Sequence, residues 1–189
     1  GRGTNLQNIP RGDIVRSIFI PDTGRIFVYA DLRQAEIRAV AYLAREERLQ
    51  NLLADPTKDI HKQNAAMVFG KGIKEVTEGE RQFAKNGGHA ANYGVGSRRL
   101  SKVLGVSEQR AREFLNQYYS LYPSIKRWHM EVEATISKSR IMRTPLGRAR
   151  MFFGRWGPDL VREAIAYVPQ SLVSDIINIG IIKAFPNLP

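Results

Sequence analysis

The 189-residue chain contains no cysteine, which excludes a disulfide scaffold and a thiolate-held zinc site and fits a reducing compartment. It has no run of about 18 consecutive apolar residues, so no membrane span and no membrane partner is expected from the sequence. No Gly-x-x-x-x-Gly-Lys-[Ser/Thr] loop occurs, which disfavours the phosphate-loop class of NTP-binding enzymes. Internal repeats and low-complexity stretches are absent too. The opening Gly1-Arg2-Gly3-Thr4 is neither a signal peptide nor a start at methionine, so the chain is expected to be cut from something longer.

What is present is a globular composition, 43% hydrophobic, carrying a net charge of +11. The excess is local. Between Arg81 and Arg150 there are 14 Lys and Arg against 4 Asp and Glu, while the rest of the chain is nearly balanced. Such a basic middle third suits either a polyanionic partner or a solvated helical surface.

Local patterns give an outline. Asn5 to Gly12 is polar and ends in turn formers. Arg25 to Ala30 follows the turn Pro21-Asp22-Thr23-Gly24 and reads as a short buried strand, with Asp31 at its exit. Helical spacing of Ile37, Val40, Ala41 and Ala44 predicts a helix over about 33–53. A second is expected from Asp59 to Phe69, stopped by Gly70. Thr77 and Glu80 form a capping-box pattern that opens a third, running toward Tyr93 and Gly94. Ser107 is a cap for a helix to about Tyr119, and Pro123 leads into one carrying Trp128. Arg143 to Arg148 is a turn between two extended stretches, a hairpin. Pro158 to Phe185 is mostly helical, with a bend or break expected at Pro169. The fold class is therefore α+β and α-rich, with a sheet fragment at each end and a helical, basic insertion between them.

Two constellations carry chemistry. Arg81, Lys85, His89 and Tyr93 lie four residues apart, so on a helix each turns only about 40° from the last, and all four share a stripe about 18 Å long. Two cations followed by two rings match a ligand with an anionic tail and a flat head, such as a nucleoside triphosphate. Taken alone, the stripe equally suits an exposed amphipathic face. Asp31, with Glu36 five residues on, stands where a magnesium ligand is common, though a strand-end aspartate also commonly caps the next helix.

Taken jointly, Asp31-Leu32-Arg33-Gln34-Ala35-Glu36-Ile37-Arg38, then Asp59-Ile60-His61, then Arg81-Gln82-Phe83-Ala84-Lys85 through Asn92-Tyr93-Gly94, resemble the family A, or DNA polymerase I-like, polymerases in order and spacing. Asn5-Leu6-Gln7-Asn8-Ile9-Pro10 is similar to the segment before the first palm motif of that family. Thr144-Pro145-Leu146-Gly147-Arg148 is similar to its Thr-Leu-Phe-Gly-Arg turn, and Arg162, Gln170 and Asp175 fall where its late DNA-contacting motif lies. The resemblance runs from end to end of the chain.

The resemblance implies a template-directed DNA polymerase built on a partial palm sheet with an inserted fingers subdomain. Residues 1–53 would be palm, 54–155 fingers, and 156–189 the return to the palm. Asp31 would be the catalytic carboxylate and, with the Leu32 carbonyl, a ligand to two magnesium ions. Glu36 would be the gate that excludes a ribose 2′-hydroxyl, with Gln34 beside the nucleotide. Arg81, Lys85 and His61 would serve the triphosphate, and Tyr93 the templating position. Asn5, Asn8, Arg16, Arg162 and Gln170 would line primer–template DNA, and Arg98 and Arg99 would contact its backbone. The implied partners are that DNA, a dNTP and the remainder of the polymerase, in the cytoplasm of a bacterial or phage-infected cell. The chain departs from the family pattern at His89, at Ala166 and at Ser171. The family's second catalytic aspartate, in a His-Asp-Glu-like turn, does not occur before Pro189, so the segment by itself is expected to be inert. The alternative is a non-catalytic nucleic-acid-binding module on the same scaffold.

Overall fold

The computed structural model describes residues 12–27 and 31–187, arranged in two units that divide between Arg33 and Gln34. The first unit holds a single turn of helix, α1 (Asp13–Arg16), and a turn in which the Arg25 amide donates to the Asp22 carbonyl at 2.9 Å. Gly24 makes that turn possible with φ of 75°. The strand expected over 25–30 is not formed at Arg25, Ile26 or Phe27, and 28–30 lie outside the described residues. A strand exists only through hydrogen bonds to a neighbour, and the described part of this unit supplies none.

The second unit is helical. Its elements are α2 (Ala35–Leu43), α3 (Glu47–Ala54), α4 (Ile60–Phe69), α5 (Glu78–Asn92), α6 (Ser97–Leu104), α7 (Glu108–Leu121), α8 (Pro123–Ser139), the strands β1 (Ile141–Arg143) and β2 (Ala149–Met151), and α9 (Pro158–Ala184). The single helix predicted over 33–53 is two helices. Arg45 adopts φ of 53°, its amide donates to the Tyr42 carbonyl at 3.1 Å, and the Glu46 amide donates to the Ala41 carbonyl at 2.9 Å. This pair of bonds is a Schellman ending, here built on arginine where glycine is usual.

The other helix starts follow their caps. Asp59 accepts from the amides of His61 and Lys62, and Ser107 from that of Arg110. Thr77 and Glu80 close the reciprocal capping box of α5. Helix α6 was not expected, since Gly96 before it offers no side-chain cap. The hairpin is as predicted, antiparallel with Met142 opposite Arg150, and Gly147 supplies the turn at φ of 90°.

The core lies among α2, α5, α7, α8 and α9, filled by Phe114, Tyr118, Tyr122, Ile125, Trp128, Val132 and Ile136. Buried hydroxyls stitch the helices together: Tyr122 donates to Asn64 on α4 at 2.6 Å, and Tyr118 to Asn92 on α5 at 2.9 Å. Buried polar groups need such partners because an unpaired one costs about 1–3 kcal/mol.

Helix α9 runs unbroken through Pro169, against the expected interruption. Pro169 is buried among packed neighbours, so tertiary contacts outweigh the one backbone bond it cannot make. With 27 residues and a mean hydropathy of 1.4 over its most apolar window, α9 is also long and apolar enough to cross a membrane, which the sequence was not expected to provide. Its first half is packed on protein: Leu160, Ala164, Ile165, Val168 and Leu172 are buried, and the helix lies against α2 and α8.

Candidate functional site

One stripe of α5 and its C-terminal cap carries the four residues picked out by spacing, Lys85 and His89 exposed and Arg81 and Tyr93 partly buried, and the structure shows what each one meets. Arg81, at the helix start, donates from Nε to Asp59 Oδ2 at 2.7 Å and from Nη1 to Glu78 Oε1 at 3.0 Å. The Asp59 hydrogen bond is the main reason the Arg81 guanidinium is held above its usual pKa. Burial tends to raise the Asp59 carboxyl, yet the Arg81 bond and the Lys62 and His61 amides hold it below the ordinary range. His61 sits half-buried on α4, the helix before. Burial pushes its pKa down, Asp59 opposes that, and Arg81 and Lys85 add to it. His61 is thus a neutral hydrogen-bonding group beside two cations. Lys85 is exposed and makes no ion pair among the described residues.

The far end of the stripe closes on Glu36. Tyr93 donates its hydroxyl to Glu36 Oε2 at 2.5 Å, and His89 Nδ1 stands 3.9 Å from the same oxygen. The two rings meet edge to face, with centroids 4.9 Å apart. Burial and the Glu36 carboxylate together drive the Tyr93 pKa well up, partly offset by a hydrogen bond with Gln170, so Tyr93 is a permanent donor at neutral pH. Glu36 reaches this position because it lies in the first turn of α2, which starts at a left-handed Gln34 with φ of 55°. The Gln34 side chain makes no cap bond.

Beside the stripe opens a cleft of about 490 Å³ lined by His89, Tyr93 and Ala90 from α5, Arg99 from α6, and Arg162 and Ala166 from α9. Arg162 is ion-paired with Asp159 in the first turn of α9. Asp175 does not face the cleft as a free acid, because Arg148 Nε donates to it at 2.9 Å. Arg98 is exposed on α6, and Gln170 on α9.

The first unit holds Asp31, an exposed carboxylate outside regular structure, followed by Leu32, and Arg16 ends α1. Asn5 and Asn8 lie outside the described residues. Among the described residues no group of three or more His, Asp or Glu side chains is gathered as a metal site. Sequence reasoning missed two participants. Asp59 is the anchor of Arg81, and His129 bonds the Asn92 carbonyl through Nε2 at 2.9 Å, bracing the end of α5. The sequence singled out Asp59 only within the Asp59-Ile60-His61 motif and as the start of a helix, and His129 not at all.

The two half-buried histidines give a pH test of the fold. Burial holds both His129 and His61 below the ordinary histidine pKa, so they remain neutral in the folded state at pH values where the unfolded chain binds protons. Stability is full above about pH 6.5 and falls as pH drops through the folded values. Thermal melts at pH 7.5 and 5.5 should show a lower melting temperature at 5.5. In His129→Gln, which keeps a donor for the Asn92 carbonyl, the loss between these pH values should be smaller. An equal loss in that variant would remove His129 from the account.

The profile described as DNA polymerase family A matches residues 2–189. The chain is 32% identical to DNA polymerase I, thermostable, of Thermus filiformis over 97% of its length, covering 23% of that protein. It is likewise 32% identical to DNA polymerase I of Borreliella burgdorferi over 96% of its length, covering 21% of that relative. It therefore spans less than a quarter of the length of either curated relative. Among solved structures, the POL domain of Pol1 from M. smegmatis, in complex with DNA primer-template and dNTP, superposes with a TM-score of 0.78 at 26% identity, covering 95% of this chain and 35% of that one.

Proposed function

The chain belongs to DNA polymerase family A, and from that premise we propose that it forms the nucleotide-binding part of a template-directed DNA polymerase working in a bacterial or phage-infected cytoplasm. The observation that carries this reading is the joint approach of Tyr93 and His89 to Glu36 at one end of a stripe whose other end is cationic. Residues 54–155 act as fingers, and 1–53 with 156–189 as palm.

In this reading Arg81 and Lys85 hold the triphosphate, His61 adds a neutral polar contact, and the rings of His89 and Tyr93 pack toward sugar and base. Glu36 fills the space that a 2′-hydroxyl needs, and the Tyr93 hydroxyl fixes its carboxylate in place. Gln34 flanks the nucleotide. Arg16, Arg162, Gln170, Asn5 and Asn8 contact primer–template DNA, with Arg98 and Arg99 on its backbone. The protein contributes position and charge, and the incoming phosphate needs no covalent partner from it.

The Asp31 carboxylate and Leu32 carbonyl are hard oxygen donors of the kind magnesium takes. They are a partial donor set, and further carboxylates must complete it. When bound, a magnesium pair would stabilise charge on the attacking and leaving oxygens.

The test is sugar selection by the polymerase that contains this segment. Relieving a crowded contact is worth about 1–3 kcal/mol, so Glu36→Ala should lower the ratio of deoxyribonucleotide to ribonucleotide incorporation by about tenfold to a hundredfold. Tyr93→Phe, which removes the hydroxyl that fixes Glu36 and also meets Gln170, should lower it less. A ratio that does not change in Glu36→Ala would make Glu36 a structural residue.

A further inference from the structure

The hairpin and the turn after it carry a surface that the nucleotide site leaves unused. From Lys138 to Gly157 the chain has six cations, Lys138, Arg140, Arg143, Arg148, Arg150 and Arg155, and no carboxylate. Helix α9 neutralises two of them, pairing Asp175 with Arg148 and Glu163 with Arg150. Arg143 and Arg155 form no ion pair among the described residues.

Two large aromatic side chains stand open among these cations: Phe153 is 87% exposed and Trp156 is 43% exposed. Their exposure follows from how the backbone is anchored. Phe152 is buried against Tyr167, with ring centroids 5.8 Å apart, and its amide donates to the Arg140 carbonyl at 2.8 Å. Successive residues of an extended chain point to opposite sides, so seating Phe152 inward turns Phe153 outward. Arg140 then lies 5.4 Å over the Trp156 ring and donates from Nη1 to the Gly154 carbonyl at 3.0 Å, which ties Trp156 to the turn beneath it. Trp156 is thus held in place and Phe153 is turned outward, both without a covering element.

We propose that Phe153 and Trp156 form a stacking platform for the unpaired bases of a single-stranded nucleic acid, with Arg143 and Arg155 on its phosphates. Aromatic faces set in a cationic, acid-free segment match a strand whose bases are free and whose backbone is anionic. Bases inside a duplex are already stacked on one another, and only a terminal pair has an open face to offer. A purely apolar partner is disfavoured because it leaves these cations unanswered. Continuity with the cleft supports the choice: Glu163 lines the cleft beside Tyr93 and also holds Arg150 of the hairpin. A strand leaving the cleft therefore meets this surface next. The choice of a nucleic acid rests on the polymerase reading, whereas the platform itself does not depend on the nucleotide site.

The test is a fluorescence titration of the full chain. The protein has two tryptophans, Trp156 exposed and Trp128 buried, so the part of the emission lost in Trp156→Phe reports the platform. The probes are a single-stranded oligo(dT), an abasic strand of the same length, and a covalently closed circular duplex, which has no ends. Oligo(dT) should quench Trp156 and bind about tenfold more tightly than the abasic strand, in keeping with the worth of one stacked base. Phe153→Ala, a change at an exposed position, should reduce oligo(dT) affinity by about tenfold and leave abasic binding unaltered. The duplex should not quench. Equal binding of the two single strands, or unchanged oligo(dT) affinity in Phe153→Ala, overturns the platform and leaves only an electrostatic surface. Failure of Glu36→Ala to alter sugar selection would touch none of these readouts.

Discussion

Replacing Gly87 with alanine should destabilise the helical unit by about 1–3 kcal/mol, although alanine is the better helix former. The expected sign is what makes this informative. In an open helix position the exchange would stabilise by about 1 kcal/mol, because glycine loses more backbone freedom on folding. At Gly87 an added Cβ would fall 2.4 Å from Phe114 Cζ and 2.5 Å from Cε1. Phe114 is 2% exposed and is hemmed in by Phe83, 5.5 Å away edge to face, and by Tyr118, stacked at 6.0 Å. The ring has nowhere to go. Helix α5 must then lift from α7, and with it the stripe from Arg81 to Tyr93. Chemical denaturation of Gly87→Ala measures the loss, and a smaller side chain at position 114 provides the control. In a Phe114→Leu background the same Gly87→Ala change should cost far less, as contacting residues couple by about 0.5–3 kcal/mol. Gain of stability from Gly87→Ala alone would show that the close approach of α5 and α7 is not what requires glycine.

Much of this architecture is written in short-range chemistry. Thr77 with Glu80, and Ser107, each announce a helix start through a side chain that satisfies free amides, and both are realised, while Asp59, expected as the first residue of a helix, proves to be its cap. The turn at Gly147 is equally local. What escaped sequence reasoning has no such marker. The break between α2 and α3 rests on an arginine in a left-handed conformation, α6 begins without a side-chain cap, and α9 passes through Pro169 because packing holds it. The residues from Arg25 to Phe27 have the composition of a strand, but composition cannot supply a neighbouring strand. The candidate site divides the same way. Helical spacing alone aligns Arg81, Lys85, His89 and Tyr93. The bond from Tyr93 to Glu36 spans 57 positions and that from Arg81 to Asp59 spans 22, so neither was visible before the helices were packed.

That last ion pair separates the two cations of the stripe by role. Lys85 stands without an ion pair among the described residues, so a triphosphate would take its charge directly. A hydrogen bond to a charged group contributes about 1.5–3 kcal/mol, so Lys85→Ala should weaken apparent nucleotide affinity by roughly 10- to 150-fold in the polymerase that contains this segment. Arg81 is already engaged by Asp59 at 2.7 Å and Glu78 at 3.0 Å, and a phosphate must compete with both carboxylates. Asp59→Asn should relieve that competition. Asparagine caps a helix about as well as aspartate, so α4 keeps its start while the charge is lost. The pair is partly exposed, and such pairs contribute about 0.2–1 kcal/mol, so nucleotide affinity should rise by up to about fivefold. The gain should shrink as salt screens the carboxylate in the parent protein. Nucleotide binding measured across both variants at two salt concentrations decides the matter. Unchanged affinity in Lys85→Ala would remove the stripe from the triphosphate site, and weaker binding in Asp59→Asn would mean that Asp59 holds Arg81 in its working position instead of away from it.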